Sequence, residues 1–318
     1  MAGHMASMAR TIRQRTLKHA IHCSGIGLHS GEKVGMSLRP ADADTGIVFR
    51  RTDLARGNWE VRAHLDNAVE TPLCTTLVGP GGAKIGTIEH LLSALSGCGI
   101  DNALIELNGA EVPIVDGSAA PLVFLVECAG TTTQGTPRRA MEVLKEVCVS
   151  DEERLVRMIP GPALTIGFEI EYRDSAITRQ SWSVDITEST YKRELSRART
   201  FGFLHEVDRL REMGLALGGS LDNAVVIDGD TILNQDGLRY ENEFVRHKIL
   251  DMIGDLYLVG GPLLGQAHGV RAGHGLTLRL LRALLADASA WTWRELTEAD
   301  LQPTAGAALP ARAVAAHA

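Results

Sequence analysis

The fold and the polar site are predicted from one stretch, FVRHKILDMIGDLY, at Phe244–Tyr257. Its apolar residues cover nearly every side of a helix, a pattern that is typical of a buried helix. His247 and Asp251 nevertheless stand four residues apart on one face, and Asp255 lies one turn further along. Because an unpaired buried charge is strongly unfavourable, these groups need partners. The stretch therefore predicts a buried helix that carries a polar site.

Two kinds of partner suit His247 and Asp251. A zinc ion is one, because neutral imidazole and carboxylate oxygen are both normal zinc ligands. A hydrogen bond between the two side chains along the helix is the other, and pairs at this spacing are common. Spacing alone favours the hydrogen bond, so the metal interpretation depends on a third ligand elsewhere in the chain.

Length and charge restrict the class of protein. The 318 residues are 45 % hydrophobic, which is enough for one large domain or two of ordinary size. A net charge of −7 and an aromatic content of 4 % argue against a nucleic-acid-binding protein. No apolar run is long enough to span a bilayer, so we expect no stable membrane insertion.

The five cysteines are irregularly spaced, and none forms a CxxC pair. This pattern favours free thiols in a reducing compartment. Since the sequence also shows no signal peptide, we expect a cytoplasmic protein, and a monomer. The opening residues, MAGHMASM, are typical of an expression tag, and residues 1–10 are set aside as its remnant.

The first half of the chain is predicted to consist mainly of strands. These are expected at Val34–Leu38, Gly46–Arg50, Cys74–Val78 and Ala103–Leu107. Helices are expected at Ile88–Ser96, between an N-cap at Thr87 and a terminating Gly97, and at about Pro121–Cys128. The polar stretch Gly130–Arg139, GTTTQGTPRR, is predicted to be a linker.

After this linker the same order of elements returns. Strands are expected at Met141–Val149, Leu155–Ile159, Ala163–Tyr172 and Gln180–Asp185. Residues 202–228 read strand–helix–strand, with the helix at Leu204–Met213 and the second strand at Ala224–Ile227, and a last helix is expected at Leu276–Leu285.

This order predicts an α+β fold of two similar domains, residues 11–134 and 138–302. Each would be a two-layer α/β sandwich, with helices packed at the domain interface and a βαβ insert at about 202–228 in the second domain. Residues 303–318, rich in alanine and proline, are expected to form a poorly ordered tail.

The first half offers a third metal ligand, His90, directly after Glu89 on the first predicted helix. Neighbouring helix residues point about 100° apart, so Glu89 can face a metal's water when His90 binds the metal. A carboxylate in that position can act as a general base. The motif is not H-E-x-x-H, since Glu89 precedes His90 and position 94 is alanine. The alternative is a partly buried histidine with ordinary partners.

Three further polar residues are candidates for chemistry. His274, in the glycine-flanked AGHGL, can serve as a general acid oriented by Asp255, or can be a surface loop residue. Lys248 is either solvated or an anion contact. Thr200, in RARTFGF, can donate a hydrogen bond to a developing oxyanion, although most threonines before a strand are structural.

Apolar side chains within residues 202–228 can line a groove, unless the segment is an ordinary packed βαβ unit. The side chains concerned are Leu204, Val207, Ala216, Ala224 and Val226.

Long stretches of the chain, from about Arg15 to Trp293, resemble one family in the same order. The family is UDP-3-O-acyl-N-acetylglucosamine deacetylase, the zinc amidase of lipid A biosynthesis. The matching stretches are QRTLK (Gln14–Lys18), GIGLHSGEKV (Gly25–Val34), TIEHLLSAL (Thr87–Leu95), GIDNALIEL (Gly99–Leu107), EVPIVDGSAAP (Glu111–Pro121), SRARTFGF (Ser196–Phe203), LALGGS (Leu215–Ser220) and LNQDGLRYENEFVRHKILDMIGDLYL (Leu233–Leu258).

The resemblance implies hydrolysis of the N-acetyl group of UDP-3-O-acyl-N-acetylglucosamine, which gives UDP-3-O-acyl-glucosamine and acetate in the committed step of lipid A biosynthesis. It also implies zinc ligation by His90, His247 and Asp251, with water in the fourth place. Iron(II) suits the same ligands.

The resemblance further implies a role for each of the other polar candidates. Glu89 is expected to be the general base, and His274, supported by Asp255, the general acid that protonates the leaving amine. Thr200 is expected to be the oxyanion donor, and Lys248 to contact the substrate.

Substrate binding is implied at two places. The insert would pass the 3-O-acyl chain, and its residues are Leu204, Val207, Ala216, Gly219, Ala224 and Val226. Arg154, Tyr172, Phe203 and Arg271 fall where the family contacts the nucleotide and its diphosphate, with Tyr172 against uracil. Two departures bear on nucleotide binding: the sequence AGHGLTLRLL after the acid histidine, and an arginine rather than a lysine at position 271.

Two other functions fit part of the pattern. A zinc peptidase, or another zinc amidase, would use the same ligands but would not depend on UDP. A metal-stabilised scaffold protein would close the zinc off with a fourth protein ligand.

Overall fold

The computed structural model describes residues 10–55, 57, 59–172 and 176–301. The predicted tag remnant, apart from Arg10, and the predicted tail at 303–318 lie outside the described residues.

The first half contains short strands and two helices. The strands are β1 (Arg13–Leu17), β2 (Ile21–Ile26), β3 (Lys33–Pro40), β4 (Ile47–Arg51), β5 (Glu60–Arg62), β6 (Ala68–Glu70), β7 (Thr75–Val78), β8 (Lys84–Ile85), β9 (Ala103–Leu107) and β10 (Thr131–Pro137). The helices are α1 (Glu89–Gly97) and α2 (Ala120–Ala129).

The second half contains longer helices. Its strands are β11 (Arg139–Val143), β12 (Val147–Asp151), β13 (Arg154–Ile159), β14 (Leu164–Ile170), β15 (Gln180–Asp185), β16 (Phe201–Phe203), β17 (Val225–Asp228), β18 (Thr231–Ile232), β19 (Leu263–Val270) and β20 (Trp291–Glu295). Its helices are α3 (Glu188–Thr190), which continues as a π-helical turn to Leu195, α4 (Leu204–Glu212), α5 (Glu243–Leu256) and α6 (His274–Ala286).

Each half has its own main sheet. In the first half the strands lie in the order β2-β3-β9-β4-β5. In the second half β19 is central, pairing with antiparallel β13 and with parallel β14 and β11, while β12, β15 and β20 lie further out. The predicted α+β class is confirmed, and the division into two domains remains a prediction.

Helices α1 and α5 pack closely where the two halves meet. A Cβ atom added at Gly254 of α5 would lie 2.0 Å from the backbone oxygen of Glu89 on α1, so only glycine permits this approach. One continuous apolar core includes Phe49 and Leu92 of the first half and Phe168 and Phe244 of the second. This packing brings together the two helices that carry the predicted polar site residues.

The predicted βαβ insert is confirmed. Strands β16 and β17 are parallel, with α4 between them, and β18 adds an antiparallel edge. In β17, Val225 and Ile227 are buried in the core, whereas Val226 faces the other side and is half-buried, as is Ala224 just before the strand.

The prediction of a linker at Gly130–Arg139 is wrong. Residues 131–137 form β10, which pairs with β1 so that Leu17 faces Thr131. Threonine suits an extended strand, but the partner strand lies far away in sequence and leaves no local signal. The predicted strand Met141–Val149 is likewise two strands, separated by exposed residues 144–146.

The predicted caps of α1 are also wrong. Thr87 has a φ of 55°, and its hydroxyl donates to Glu111 Oε1 at 2.9 Å, so Ile88 takes the N-cap position without a side-chain bond. Gly97 lies inside the helix, where an added Cβ would meet the Tyr191 ring at 2.2 Å. The glycine therefore serves packing rather than termination.

The two ends of the described chain lie side by side. Thr11 forms an antiparallel bridge with Thr297, and the Ile12 N–H donates to the Leu296 carbonyl at 2.8 Å. Within the described residues, no helix is long and apolar enough to cross a membrane.

Candidate active site

Helices α1 and α5 bring three candidate metal ligands together. His90 of α1 and His247 and Asp251 of α5 are all buried, and one ligand atom of each lies within 4.8 Å of the others. Asp251 Oδ1 is 3.2 Å from His247 Nε2 and 3.5 Å from His90 Nε2. His90 therefore lies where the sequence argument requires a third candidate ligand.

Asp251 has one oxygen that suits a cation. Its Oδ2 accepts a hydrogen bond from Lys248 Nζ at 2.6 Å, whereas its buried Oδ1 has no hydrogen-bond partner among the described residues. Burial would raise the pKa of this carboxyl, but His247 and Lys248 outweigh burial and hold the pKa well below its usual range. A buried, ionised oxygen that faces two imidazoles fits a zinc ion, for which this is a normal donor set.

His247 is held in the form that a metal needs. Its Nδ1 lies 3.0 Å from the Ala198 carbonyl, which can only accept, so Nδ1 carries the proton and the Nε2 lone pair faces His90 and Asp251. Burial lowers the pKa of His247 to about 4, so the ring is neutral at neutral pH.

Glu89 lies beside the metal-ligand cluster with one firm hydrogen bond. Its Oε2 accepts from the Thr75 backbone N–H at 3.1 Å, and its Oε1 is 3.9 Å from His274 Nε2. Burial raises the pKa of Glu89 and outweighs the opposing charges of His274 and His90. A raised pKa makes this carboxylate a stronger proton acceptor.

His274 is the first residue of α6 and is paired with α5. Its Nδ1 lies 2.7 Å from Asp255 Oδ2, and the other oxygen, Oδ1, accepts from the Thr75 hydroxyl at 2.6 Å. Burial alone would lower the pKa of His274, but Asp255 and Glu89 outweigh it and raise the pKa to about 10. The ring therefore carries a proton at neutral pH.

Thr75 is a site residue that the sequence reasoning missed. It is fully buried at the start of β7, and it bonds Glu89 through its backbone and Asp255 through its side chain. A threonine inside a predicted strand gives no signal of such a role, because the pattern shows only which face is buried.

Thr200 and Lys248 lie on elements that flank the ligand cluster. The Thr200 N–H donates to the Gly117 carbonyl at 2.8 Å, and its own carbonyl accepts from Val225 at 2.8 Å. Lys248 is bonded to Asp251, and although burial opposes it, that carboxylate raises the pKa of the lysine. Lys248 is therefore not the solvated lysine that one alternative predicted.

Three of the four predicted nucleotide contacts lie at one end of the main sheet of the second half. Arg154 begins β13, Tyr172 follows β14, and Arg271 follows β19, three residues before His274. Arg271 has a φ of 48° and forms ion pairs with Glu153 and Glu171. Arg154 is exposed and pairs with Asp151 at 2.8 Å.

Aromatic rings connect this end of the sheet to the insert. The Tyr172 ring lies 5.3 Å from the Phe203 ring and 5.9 Å from the Phe201 ring, measured between centroids. Burial raises the pKa of Tyr172. The Tyr172 and Phe203 rings are thus in contact with each other, and their role in nucleotide binding remains a prediction.

The predicted acyl-groove residues lie on an accessible part of the insert. Leu204 is exposed, and Val207, Ala216 and Gly219 are half-buried. The loop at 216–219 rests on residues 27–31, where the Leu217 N–H donates to the His29 carbonyl at 3.1 Å. The acyl-chain groove remains a prediction.

Glu111 is a further buried carboxylate, which the sequence reasoning did not single out. It accepts hydrogen bonds from the backbones of His29 and Ser30, and from the hydroxyls of Ser30 and Thr87. Burial opposes its ionisation, but these bonds lower its pKa. It links residues 27–31 to the start of α1.

Comparison with known proteins agrees with the resemblance. Residues 14–286 match the family described as LpxC, UDP-3-O-acyl N-acetylglycosamine deacetylase. A protein of Acidithiobacillus ferrooxidans named UDP-3-O-acyl-N-acetylglucosamine deacetylase is 51 % identical over 289 residues, which cover 90 % of this chain and 94 % of that protein. Proteins of the same name from Xanthomonas oryzae pv. oryzae and Hahella chejuensis are each 50 % identical, and they cover 94 % and 91 % of this chain and 98 % and 97 % of their own length. The chain therefore belongs to the UDP-3-O-acyl N-acetylglycosamine deacetylase family.

Proposed function

We propose that this chain hydrolyses the N-acetyl group of UDP-3-O-acyl-N-acetylglucosamine and releases acetate, with Zn²⁺ bound by His90, His247 and Asp251. The reaction would be the committed step of lipid A biosynthesis. One observation supports the proposal above all: the buried three-ligand cluster lies next to a proton acceptor, Glu89, and a proton donor, His274. The names of the relatives supply the substrate.

When bound, Zn²⁺ supplies a Lewis acid that polarises the acetyl carbonyl and acidifies water. Glu89 accepts a proton from the attacking water as the new carbon–oxygen bond forms. The Thr200 hydroxyl donates to the oxygen that gains negative charge. Amides hydrolyse slowly in water, so the reaction needs a nucleophile and charge stabilisation together.

His274 completes the reaction by donating its Nε2 proton to the sugar nitrogen as the carbon–nitrogen bond breaks. An amine leaves poorly without that proton. Asp255 keeps the imidazole protonated and oriented through Nδ1. The products are acetate and the free amine of the sugar.

The substrate would be held at two places beside the cluster. We propose that the nucleotide and its diphosphate are held by Arg154, Arg271, Tyr172 and Phe203. Lys248 is proposed to contact the sugar. The acyl chain is proposed to lie along the insert, against Leu204, Val207, Ala216, Gly219, Ala224 and Val226. Iron(II) is an alternative metal, and a cytoplasmic monomer is the proposed state of the protein.

Acetate release with metal analysis tests this proposal. The zinc-loaded protein should release acetate from UDP-3-O-acyl-N-acetylglucosamine and leave an acetylated peptide amide intact. His90→Ala should lose both zinc and activity. Cleavage of the peptide at a comparable rate would favour the zinc peptidase, and a zinc-loaded protein without either activity would contradict the proposal.

A further inference from the structure

A buried ion pair stands one helical turn before the metal-ligand cluster. Arg199 and Glu243 are 7 % and 0 % exposed, and Arg199 Nε lies 2.8 Å from Glu243 Oε1. The guanidinium also donates from Nη2 to Glu243 Oε2 at 3.1 Å, and the Arg199 backbone N–H donates to Oε1 at 3.0 Å. Arg199 is thus held through its backbone and its side chain by one carboxylate.

Glu243 itself is fixed firmly in place. It is the first residue of α5, four positions before His247 and so on the same face of the helix. Its Oε2 also accepts from the Arg239 backbone N–H at 2.6 Å, and Arg199 Nη2 donates to the Gly237 carbonyl at 2.7 Å. The four hydrogen bonds to the carboxylate leave it no freedom to rotate.

The two neighbours of Arg199 both have a part in the proposed chemistry. The carbonyl of Ala198 lies 3.0 Å from His247 Nδ1 and selects the tautomer of that ring. On the other side, Thr200 is the proposed oxyanion donor. Because Ala198, Arg199 and Thr200 are consecutive, a constraint on the middle residue limits the position of both outer ones.

We propose that the Arg199–Glu243 pair is a positioning device, which holds residues 198–200 against α5 so that His247 and Thr200 keep their places at the site. The inference rests on the proposed function, in which His247 binds the metal and Thr200 stabilises the oxyanion. Neither member of the pair acts on the substrate directly.

The chemistry of the pair supports a role in geometry rather than in stability. Buried ion pairs add little net stability, because removing both charges from water costs about as much as their attraction returns. An apolar pair would fill the same space but would leave the backbone N–H groups of residues 199 and 239 without the acceptor that Glu243 provides. Arginine is also required, since the single ammonium of lysine cannot make the forked contact.

Arg199→Lys and Glu243→Gln test the proposal, and they disturb the pair from opposite sides. Zinc affinity, measured by competition with a chelator, should fall about 10–100-fold, as expected when the group that orients a metal ligand is disturbed. The kcat for acetate release should fall about tenfold or more, while KM should change less than about twofold, because the nucleotide contacts are elsewhere. Nitrogen-15 NMR of His247 in the zinc-free protein should show a mixture of tautomers, since a metal on Nε2 would itself keep the proton on Nδ1.

Glu194→Gln is the matched control. It removes the charge of Glu194, which pairs at 2.9 Å with Arg246 of α5 in a more exposed ion pair. This variant should keep the zinc affinity, kcat and His247 tautomer of the unmodified protein.

Two results would overturn the positioning role. One is a folded Arg199→Lys or Glu243→Gln variant with unchanged zinc affinity and tautomer. The other is a loss of zinc affinity and kcat in Glu194→Gln that equals the loss in those two variants. If the unmodified protein binds zinc but releases no acetate, the proposed function fails, and zinc affinity and the tautomer still decide the role of the pair.

Discussion

At the scale of the residue, the bond between His274 and Asp255 controls when a proton is available. Although burial opposes it, Asp255 together with Glu89 raises the pKa of His274 to about 10, so the proton is retained through neutral pH and lost as pH rises through that value. In Asp255→Asn, the Asp255 charge no longer opposes the effect of burial, so the pKa of His274 falls. The basic limb of the kcat/KM profile should move down by about 1–3 pH units, the usual effect of losing an adjacent opposite charge.

A second histidine–aspartate pair provides the control for this shift. His64 Nδ1 lies 3.2 Å from Asp66 Oδ2 at the surface. Asp66→Asn should leave the pH profile unchanged. An unmoved basic limb in Asp255→Asn would exclude His274 as the acid.

Glu89 is expected to matter for rate and not for metal content. Glu89→Gln keeps the size of the side chain and an acceptor for Thr75, but it removes the proton acceptor. Acetate release should fall about 10²–10⁴-fold, the usual contribution of a general base. Zinc content, measured by emission spectrometry, should remain at the level of the exposed control Glu60→Gln. An unchanged rate would refute the assignment.

Single residues also show what the sequence could and could not predict. The sequence predicts the candidate ligands His90, His247 and Asp251, because helical spacing and a family resemblance both point to them. It does not predict the roles of Thr75, Glu111 and the Arg199–Glu243 pair, because their partners are distant in sequence. Their roles exist only after the chain has folded.

At the scale of the element, the contact between α1 and α5 determines the geometry of the site. In Gly254→Ala, the new methyl group would lie 2.0 Å from the Glu89 oxygen and would force the helices apart. Stability should fall by about 1–3 kcal/mol, as for other overpacked cores, and zinc affinity should fall with it. Urea unfolding and chelator competition measure the two effects.

Gly135→Ala is the matched control for Gly254→Ala. An added Cβ there meets nothing within 4 Å, and the residue is exposed in β10. Gly135→Ala should change stability by less than about 0.5 kcal/mol. Equal losses in the two variants would show that the close approach of the helices is unimportant.

The elements that were predicted well have strong local patterns. Helix α5 was expected at Phe244–Tyr257 and is found at Glu243–Leu256, and the βαβ insert was recognised from its alternating segments. Strand β19 was missed because Gln266, His268 and two glycines interrupt its apolar run, although it is the central strand of its sheet. Position within a sheet is a tertiary property that local sequence does not record.

At the scale of the whole molecule, the continuous core predicts how the protein responds to metal removal. Apolar residues of both halves hold the fold together without the ligand cluster. A chelator should therefore abolish acetate release while the far-ultraviolet circular dichroism at 25 °C is retained. The melting temperature should fall by about 5–15 °C, which corresponds to the loss of a ligand present far above its Kd.

The metal-stabilised scaffold makes the opposite prediction. Its fold would depend on the ion, so chelation would unfold it. Loss of the dichroism signal on chelation, reversed by Zn²⁺, would therefore support the scaffold.

The bridge between Thr11 and Thr297 implies that this architecture does not depend on where the polypeptide starts. A circular permutant can be made by joining residue 301 to residue 10 through a short linker and opening the chain at the exposed Lys145–Glu146 bond. His247 and Asp251 would then precede His90 in the rearranged gene product. Such a permutant should still take up one zinc ion per molecule, because the ion responds to where its ligands meet and not to the order in which a ribosome makes them.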